Sequence, residues 1–409
     1  MSSHAPKSSN HTKSILIGSA ALAVALIAGL LYLMSAPGNS QGGDFADGSA
    51  AAPHTGEAGV YDGRFENDGS ENGFDGSVDK QQLIRDYKDW AKYPPNSRPL
   101  LPSHRDQIEY RRIPVAMQKM PVKIDGELKP SDYSCLLQPE KHTITEGEAM
   151  RVFLSCHKTG EQSKREIRVA DYRIEARAGE RKFAPVKPTV NDAGLNGDAV
   201  AGDRVQTFEF RPRSSDWADM HLTVNFEIEG DESGAKHSLR THFFASPVAP
   251  ARFTGNFREE FREGSLIVLA EVEVEKPGNY TIQANLMTTS DEPVAFARND
   301  ANLKSGRHFV ELEYYGKILR DRDLAGPYRL VGLRGSLNTD VIQPEMLARP
   351  PAEVQKFLRN IRDDRPKRMV IPYYTKAYTT KEYDLALFTE AEYTSPAKER
   401  RLTELQALP

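Results

Sequence analysis

A cluster of potential calcium ligands lies in the stretch NDAGLNGDAVAGDR, residues 191–204. Calcium takes six to eight oxygen ligands, which carboxylates, side-chain amides and backbone carbonyls supply. The side-chain oxygens in this stretch belong to Asp192, Asn196, Asp198 and Asp203. Glycines at positions 194, 197 and 202 permit the positive φ angles that fold such a loop inward. The stretch is therefore a candidate calcium site.

The same residue types also suit a loop that holds no ion. Aspartate and asparagine side chains accept hydrogen bonds from nearby backbone groups in turns, and glycine supplies positive φ without a steric penalty. Acidic, glycine-rich surface loops more often have only this local role. The residues by themselves favour a tight, self-bonded loop that delivers residues 205–210 into a strand.

The chain contains two cysteines, and both lie on strand-like segments. Cys156 shares the apolar face of Met150, Val152 and Leu154, and Cys135 has the parity of Tyr133 and Leu137. Two inward-facing cysteines in an oxidising compartment predict a disulfide. The alternative is a pair of buried free thiols. A shared metal ion is not indicated, because the sequence has no CxxC pair.

The sequence has no HExxH zinc motif and no phosphate-binding P-loop. Its GxSxG match, GNSQG at 38–42, lies in a Gly/Ser-rich stretch and not between a strand and a helix, so it is not a nucleophile elbow. His237 and His242 lie five residues apart on one strand-like run, so they face opposite sides of a sheet and cannot bind one ion together. A net charge of −4 gives no basis for nucleic-acid binding. The sequence therefore predicts a protein that is not an enzyme, has no cofactor and has no nucleic-acid partner.

Two regions with a residue period of two predict β-sandwiches, at 122–246 and 247–340. In the run MHLTVNFEI, residues 220–228, apolar and polar side chains alternate, and residues 266–274 repeat the pattern. Short strands separated by turn signals, without a long helix, are typical of a sandwich. The predicted fold class is mainly β, with two tandem Ig-like β-sandwiches.

Shorter segments flank the two sandwiches. Residues 80–121 begin with an amphipathic helix capped by Asp79 and continue as a proline-rich extended segment. Residues 341–409 form a short α/β C-terminal tail that docks on the sandwiches. In it, PAEVQKFLRNI is an amphipathic helix, Thr389 and Glu392 fit a capping box, and Ser395-Pro396 opens a last helix. Its tyrosines suit packing or stacking on sugars, and packing is favoured: Tyr373, Tyr374, Tyr378, Tyr383 and Tyr393.

An uncharged run at residues 15–34 lies within a predicted transmembrane anchor, residues 14–34. About twenty apolar residues in a helix span roughly 30 Å, the thickness of a bilayer core. Lys7 and Lys13 precede the run and acidic residues follow it, so residues 1–13 are expected in the cytoplasm. The alternative is a cleaved signal peptide, whose apolar region is usually shorter. Residues 35–79 are rich in Gly, Ser and acids, which predicts a disordered tether.

The acidic stretch resembles the DDGxxGDxxAGDGxYT loop of bacterial Ig-like modules of the choice-of-anchor X type. The matching residues are Gly194, Gly197, Asp198, Ala201, Gly202, Asp203 and Thr207. Ala193 replaces the second aspartate of that loop and Arg204 replaces a glycine, and both changes argue against an occupied calcium site. The runs GNYTIQANL, LKSGRHFVELEYYGKIL and AGPYRL resemble the same group. The resemblance implies a surface-anchored, tandem β-sandwich protein. The departures at Ala193 and Arg204 predict that it binds calcium weakly or not at all.

These features predict a single-pass protein of the cytoplasmic (inner) membrane, with its C-terminal region periplasmic or extracellular. Its expected role is that of a binding or structural module for a protein or envelope partner, held to the membrane by residues 14–34. The alternative is a hydrolase or carbohydrate-active protein whose site no motif reveals. A deep pocket with converging carboxylates or a Ser/His pair would favour the enzyme.

The anchor is expected to remain uncleaved, because its apolar run is long and the following LYLMSAPG is a poor cleavage site. N-terminal sequencing of protein purified from the membrane fraction should return the intact N-terminus. Recovery of a soluble periplasmic form beginning near Ala36 would contradict this prediction.

Overall fold

The computed structural model describes residues 79–408, with gaps at 113, 125, 179–180, 340–348 and 361–365. The predicted anchor at 14–34 and all but the last residue of the predicted tether lie outside the described residues. Among the residues that are described, no helix is both long enough and apolar enough to cross a membrane. Most described elements are strands, which confirms the predicted mainly β fold class.

The described helices are short. They are α1 (Lys80–Trp90), α2 (Arg105–Ile108), α3 (Gly316–Arg322), α4 (Pro351–Asn360) and α5 (Pro396–Gln406), with a 3-10 helix at Leu385–Leu387. The predicted first helix is confirmed, and the Asp79 carboxylate caps it by accepting the N–H of Gln81 at 2.8 Å. Helix α4 confirms the predicted amphipathic segment, and it falls almost entirely in a compact unit separate from residues 78–343 and 360–409.

Many of the described strands alternate buried and less buried residues, as the period of two predicts. In chain order they are β1 (Ser97–Pro99), β2 (Gln118–Ile124), β3 (Glu127–Pro139), β4 (Thr143–Thr145), β5 (Met150–Lys158), β6 (Ile167–Ala178), β7 (Arg181–Lys182), β8 (Thr189–Asn191), β9 (Gln206–Phe210), β10 (Ala218–Ile228), β11 (His237–Ser246), β12 (Ala251–Arg262), β13 (Ser265–Val274), β14 (Gly278–Thr288), β15 (Pro293–Leu303), β16 (Gly306–Tyr314), β17 (Tyr328–Asn338), β18 (Arg368–Ile371) and β19 (Tyr378–Thr379).

The first β-sandwich has two five-stranded sheets, in the orders β2-β3-β5-β9-β8 and β4-β11-β10-β6-β7. Neighbouring strands are antiparallel, except that β4 runs parallel to β11. Strand β10 shows why this sequence folds as a sandwich: Met220, Leu222, Val224, Phe226 and Ile228 all face the core. Full burial of one such side chain stabilises the fold by about 1.5–3 kcal/mol.

The second β-sandwich packs the three-stranded sheet β12-β13-β16 against the larger sheet β1-β15-β14-β17-β18, in which β19 also pairs with β17. Its edge strands come from distant parts of the chain. Strand β1 precedes the first sandwich in sequence yet pairs with β15, and β18 and β19 belong to the C-terminal tail. Strand β1 and the part of the tail that forms β18 and β19 are therefore integral to this sandwich.

Three of the tail tyrosines, Tyr374, Tyr378 and Tyr383, pack against strand β12. The ring of Tyr378 stacks on Phe257 with centroids 4.6 Å apart, and Tyr383 stacks on Phe261 at 6.0 Å. The Glu259 carboxylate accepts hydrogen bonds from the hydroxyls of both tyrosines. One carboxylate thus joins the tail to the edge of the smaller sheet.

The last helix confirms one predicted cap and corrects another. The Ser395 hydroxyl accepts the N–H of Lys398 at 3.1 Å, as Ser395-Pro396 predicts. The capping box at Thr389 and Glu392 is wrong, because no helix starts there. The Thr389 N–H instead donates to the carbonyl of Gly264 at 3.0 Å, which holds this segment on the β12–β13 turn.

Three hydrogen bonds fix the junction of the two sandwiches. The Trp217 indole donates to the carbonyl of Arg368 at 2.9 Å, and the N–H of Val370 donates to the Ser246 hydroxyl at 2.8 Å. The Tyr280 hydroxyl donates to the carbonyl of Pro250 in the connecting segment at 3.0 Å. Strand β18 of the tail is therefore held by both sandwiches.

The predicted disulfide between Cys135 and Cys156 is present. The two residues are direct cross-strand partners in β3 and β5, with Cα atoms 4.1 Å apart, and both are fully buried. The bond therefore lies in the core of the first sandwich and pins the register of its two central strands.

Loss of this disulfide should destabilise the first sandwich. A cross-link with a sequence separation of 21 restricts the unfolded chain by about 3 kcal/mol in the chain-entropy model. Thermal melts of the full-length chain in detergent should therefore show a drop of roughly 10 °C in the Tm of this domain after reduction. The Cys135→Ser/Cys156→Ser variant is the control, since its Tm should not respond to reductant. An unchanged Tm on reducing the wild-type chain would contradict the prediction.

Candidate functional site

The acidic loop, residues 191–204, connects β8 to β9 in the first sandwich. One carboxylate oxygen from each of Asp192, Asp198 and Asp203 lies within 4.8 Å of the others. The fourth predicted ligand, Asn196, is exposed and has a φ of 46°, in the left-handed region typical of turns. The fold thus brings the three predicted carboxylates together.

Internal hydrogen bonds already use most of these carboxylate oxygens. Asp198 accepts the N–H of Gly194 at 2.7 Å and the Thr207 hydroxyl at 3.1 Å. Asp192 accepts the N–H of Arg204 at 3.1 Å through Oδ2. Its other oxygen, Oδ1, is buried without a hydrogen-bond partner within the described residues. A calcium ion would therefore have to compete with bonds that the loop makes to itself.

A cation of the protein itself occupies the third carboxylate. The Lys164 ammonium lies 2.8 Å from Asp203 Oδ2, while Oδ1 accepts the N–H of Val205 at 3.0 Å. The sequence predicted that Arg204 would bring positive charge beside Asp203. Its guanidinium instead donates to the carbonyl of Lys164 at 2.9 Å and lies 3.8 Å from Glu166. The competing charge is that of Lys164, 39 residues away along the chain.

Gly197 has a steric role in this loop. Its φ is 85°, and a Cβ at this position would lie 2.3 Å from Arg151 Nε and 2.6 Å from Glu209 Oε2. Only glycine combines this backbone angle with such a close approach to neighbouring side chains. The glycine is needed to seat the loop on the sandwich whether or not an ion binds.

A separate cavity of about 360 Å³ lies where the two sandwiches, the segment around α2 and the tail meet. Its charged and aromatic lining residues are Asp106, Tyr110, Arg112, His142, Arg334, Arg368 and Tyr373. Three guanidinium groups thus face a single carboxylate, that of Asp106. We refer to this cavity as the arginine pocket.

Arg334 reaches the arginine pocket because strand β17 is irregular. Before Gly332 an even-numbered residue such as Leu330 is buried, whereas after it the odd-numbered Leu333 and Leu337 are buried. The pairing of β17 with β14 shifts at the same point. This switch is a β-bulge, an extra residue that re-aims the side chains that follow it. Without the bulge, strand parity would direct Arg334 into the core of the second sandwich.

Gly332 also makes room for an aromatic ring of the pocket. It has a φ of 62°, and a Cβ there would lie 2.6 Å from Tyr110 Cε1. The Tyr110 ring centroid lies 4.8 Å from the Arg334 guanidinium carbon and 5.6 Å from the centroid of Tyr373. A cation so placed over a ring is attracted by the negative face of the π system.

Neutral groups, rather than a carboxylate, hold the Arg334 guanidinium. It donates to the Gln107 side-chain oxygen at 3.0 Å and to the carbonyl of Gly332 at 2.9 Å. It also lies 3.4 Å from the Asn285 side-chain oxygen and 5.6 Å from the Phe296 ring centroid. Burial lowers the pKa of Arg334, as expected for a cation taken out of water.

The two other arginines of the pocket also lack carboxylate partners. Arg112 and Arg368 are exposed, and within the described residues neither of them, nor Arg334, forms an ion pair. Arg368 lies over the Phe244 ring, 5.2 Å from its centroid. By contrast, the neighbouring Arg111 is paired with Glu148 at 2.6 Å. The pocket therefore has unbalanced positive charge.

His142 forms part of the pocket wall in its neutral state. Burial lowers its pKa, and the nearby guanidinium groups of Arg368, Arg334 and Arg111 lower it further. A hydrogen bond between the ring and the carbonyl of Arg111, at 3.2 Å, acts in the opposite direction. Burial likewise raises the pKa of Tyr373, so its hydroxyl stays protonated and can donate a hydrogen bond.

Few features of the sequence indicate the arginine pocket. Of the residues that line the pocket, the sequence marks only Tyr373 as a candidate for packing or ligand contact, because it is one of the tail tyrosines. One local signal was available, since an isolated glycine inside a strand pattern, such as Gly332, suggests a bulge. The two cavity-forming segments around residues 107 and 142 carry no comparable signal.

Comparisons with known proteins leave the family open. No protein-family model and no curated protein match the chain. Three solved structures resemble it weakly. A DUF4785 family protein from Legionella pneumophila subsp. pneumophila has 15% identity and a TM-score of 0.37 over 50% of this chain and 53% of that one. The chain thus spans about half of that protein.

The other two structures are an adhesin and a calcium-binding domain. The Yersinia pseudotuberculosis adhesin InvE has 11% identity and a TM-score of 0.17 over 50% of this chain and 55% of that one. The calcium binding domain CBD12 of CALX1.1 has 13% identity and a TM-score of 0.17 over 54% and 85% of the two chains. The resemblance to choice-of-anchor X modules is confirmed only as far as a β-sandwich fold.

Calcium should bind the acidic loop weakly, because its carboxylates are engaged internally and Lys164 neutralises one of them. An ion with a Kd of about 1 μM, present at about 1 mM, would add about 4 kcal/mol of stability. We expect no shift of that size in the Tm of the full-length chain in detergent. Removal of the competing charge in Lys164→Met should strengthen calcium binding.

The control variant for this titration is Asp198→Ala, which removes a carboxylate but leaves Lys164 in place. A calcium-dependent rise of several degrees in the wild-type Tm, abolished in Asp198→Ala, would contradict the prediction. Such a result would show that the acidic loop is a calcium site.

Proposed function

We propose that this chain is an envelope binding module whose arginine pocket recognises an anionic group of its ligand. The observation that supports this most directly is the set of three arginines, Arg112, Arg334 and Arg368, that share one cavity and form no ion pair within the described residues. A carboxylate or phosphate has the charge and the planar or forked oxygen geometry that guanidinium groups bind in a bidentate manner.

The energetic cost of Arg334 supports a role in binding. Moving a guanidinium group out of water costs several kcal/mol, and only a well-placed counter-charge offsets much of it. Among the residues that the structure describes, the group contacts neutral acceptors and rings and pairs with no carboxylate. A hydrophobic residue of similar size would suit folding at least as well. A ligand anion would supply the missing counter-charge.

The proposed location follows from the N-terminal sequence. We propose that residues 14–34 anchor the chain in the inner membrane and that residues 35–79 tether the sandwiches on the periplasmic or extracellular side. The Cys135–Cys156 disulfide supports this placement, because such bonds persist in oxidising compartments. The ligand would then belong to an envelope component and not to nucleic acid.

Binding is better supported than hydrolysis by the lining of the pocket. Glycoside hydrolysis uses two carboxylates across the scissile bond. The described lining contains one, Asp106. The unbalanced positive charge of the pocket suits retention of an anion, so the hydrolase stays the alternative proposal.

Anion-dependent stabilisation is the direct test. Inorganic phosphate and citrate should raise the Tm of the full-length chain in detergent above its value in chloride of equal ionic strength. At ten times its Kd, an anion would stabilise the fold by about 1.4 kcal/mol, a shift of a few degrees. Arg334→Met should abolish this shift, yet its own Tm in chloride should equal or exceed that of wild type.

The matched control is Arg258→Met. Arg258 also forms no ion pair within the described residues and lies over an aromatic ring, that of Phe309 at 4.0 Å, but it is on strand β12 and does not line the pocket. This variant should keep the full anion response. Equal Tm values in phosphate, citrate and chloride, or an undiminished shift in Arg334→Met, would refute the proposed function.

A further inference from the structure

The arginine pocket adjoins a second cavity, and His142 lines both. The second cavity measures about 150 Å³, and its other lining residues are Val115, Pro139, Lys141, Arg240, Thr241 and His242. It lies along strand β11 of the first sandwich, beyond the point where β4 pairs with that strand. The two cavities therefore share His142 as a lining residue, one at the junction of the sandwiches and the other on the first sandwich.

The wall between the cavities is fixed by main-chain hydrogen bonds. The N–H of His142 donates to the carbonyl of Arg111 at 2.9 Å, and the carbonyl of His142 accepts the N–H of Phe244 at 2.8 Å. One bond ties His142 to the segment after α2 and the other ties it to β11. A ligand that fills both cavities would pass this residue at a defined place.

Positive charge continues into the second cavity. Arg240 is exposed on β11 and forms no ion pair within the described residues, whereas Lys141 is held by Glu148 at 3.0 Å. His242 lies directly across from His221 of β10, with ring centroids 6.2 Å apart. Burial lowers the pKa of His221, and the guanidinium groups of Arg240 and Arg177 lower it further. Arg240 is therefore the unpaired cation of this cavity.

Uncharged polar groups also line the arginine pocket, beside Pro114, Gly335 and Val370. They are the side chains of Gln107, Thr143, Thr281, Gln283 and Ser336. Hydroxyl and amide groups each offer both a donor and an acceptor, which suits a ligand that carries many hydroxyls. The rings of Tyr110 and Tyr373 add the aromatic surface against which a sugar ring can pack.

We propose that the ligand is a linear acidic glycan whose successive carboxylate-bearing sugars occupy the arginine pocket and the second cavity. The inference rests on the proposed anion recognition. It adds the class of the ligand and the path that the bound ligand follows from one cavity to the other. One carboxylate pairs with the arginines around Arg334, the chain passes His142, and a later carboxylate pairs with Arg240. Two linked contacts of this kind gain affinity from their high effective concentration.

A length series of one acidic sugar tests the proposal. The full-length chain in detergent is titrated calorimetrically with galacturonic acid and with its α-1,4-linked dimer, tetramer and hexamer. The hexamer should bind at least about tenfold more tightly than the monomer. In Arg240→Gln/His242→Gln the ratio of hexamer to monomer affinity should fall below about threefold. Arg258→Met should behave as wild type.

The outcomes separate this inference from the proposed function. Two results together support both the glycan inference and the proposed function. Arg334→Met should lose binding of the monomer and of the hexamer, and the affinity of the wild-type chain should rise with the length of the oligosaccharide. If Arg334→Met removes anion binding but the affinity of the wild-type chain does not rise with oligosaccharide length, the glycan inference alone is overturned. Hexaglutamate that binds as tightly as the hexamer, or neutral maltohexaose that does so, also overturns it. Monomer binding that persists in Arg334→Met overturns the proposed function on which the inference rests.

Discussion

The two-residue period of strand β17 is interrupted at Gly332, and the arginine pocket depends on this interruption. The bulge moves Arg334 from the core face of the strand to the outer face of the larger sheet. The missing Cβ of Gly332 admits the Tyr110 ring, which in turn lies against the guanidinium. A single extra residue thus determines both the cation and the aromatic surface of the pocket.

The pocket also requires both ends of the described chain. Gln107 and Tyr110 precede the first sandwich, while Arg368 and Tyr373 follow the second. Pairing of β1 with β15 and of β18 with β17 brings these segments onto one sheet. Hydrogen bonds from Trp217 and Val370 then hold β18 against the first sandwich. Strand β18, which completes one edge of the second sandwich, therefore also lines the pocket through Arg368 and Val370.

The acidic loop and the arginine pocket differ in how their polar groups are satisfied. In the loop, Asp198 and Asp203 accept internal hydrogen bonds through both oxygens, and Lys164 balances one charge. In the pocket, the described residues that hold Arg334 are all neutral. A buried charge without a counter-charge is costly for folding. For this reason the pocket, more than the loop, indicates a role in binding a ligand, although the loop has the more conspicuous sequence.

The sequence by itself determined the features that depend on neighbouring residues. Alternation of side chains along β10 and β13 predicts the mainly β fold, and the parity of Cys135 and Cys156 predicts that both face one core and are bonded. Asp79 and Ser395-Pro396 identify helix starts through local capping. These predictions succeed because strand parity and capping act over a few residues.

Only the tertiary structure decided which distant groups meet. The Thr389 and Glu392 pattern suits a helix start, yet the Thr389 N–H bonds to the carbonyl of Gly264 on another turn. Lys164, and not the adjacent Arg204, neutralises Asp203. Arg334 lies on the outer face because a bulge reverses the parity that the local pattern implies. Pairings and bulges of this kind are set by contacts between strands far apart in the chain. Local periodicity therefore does not predict them.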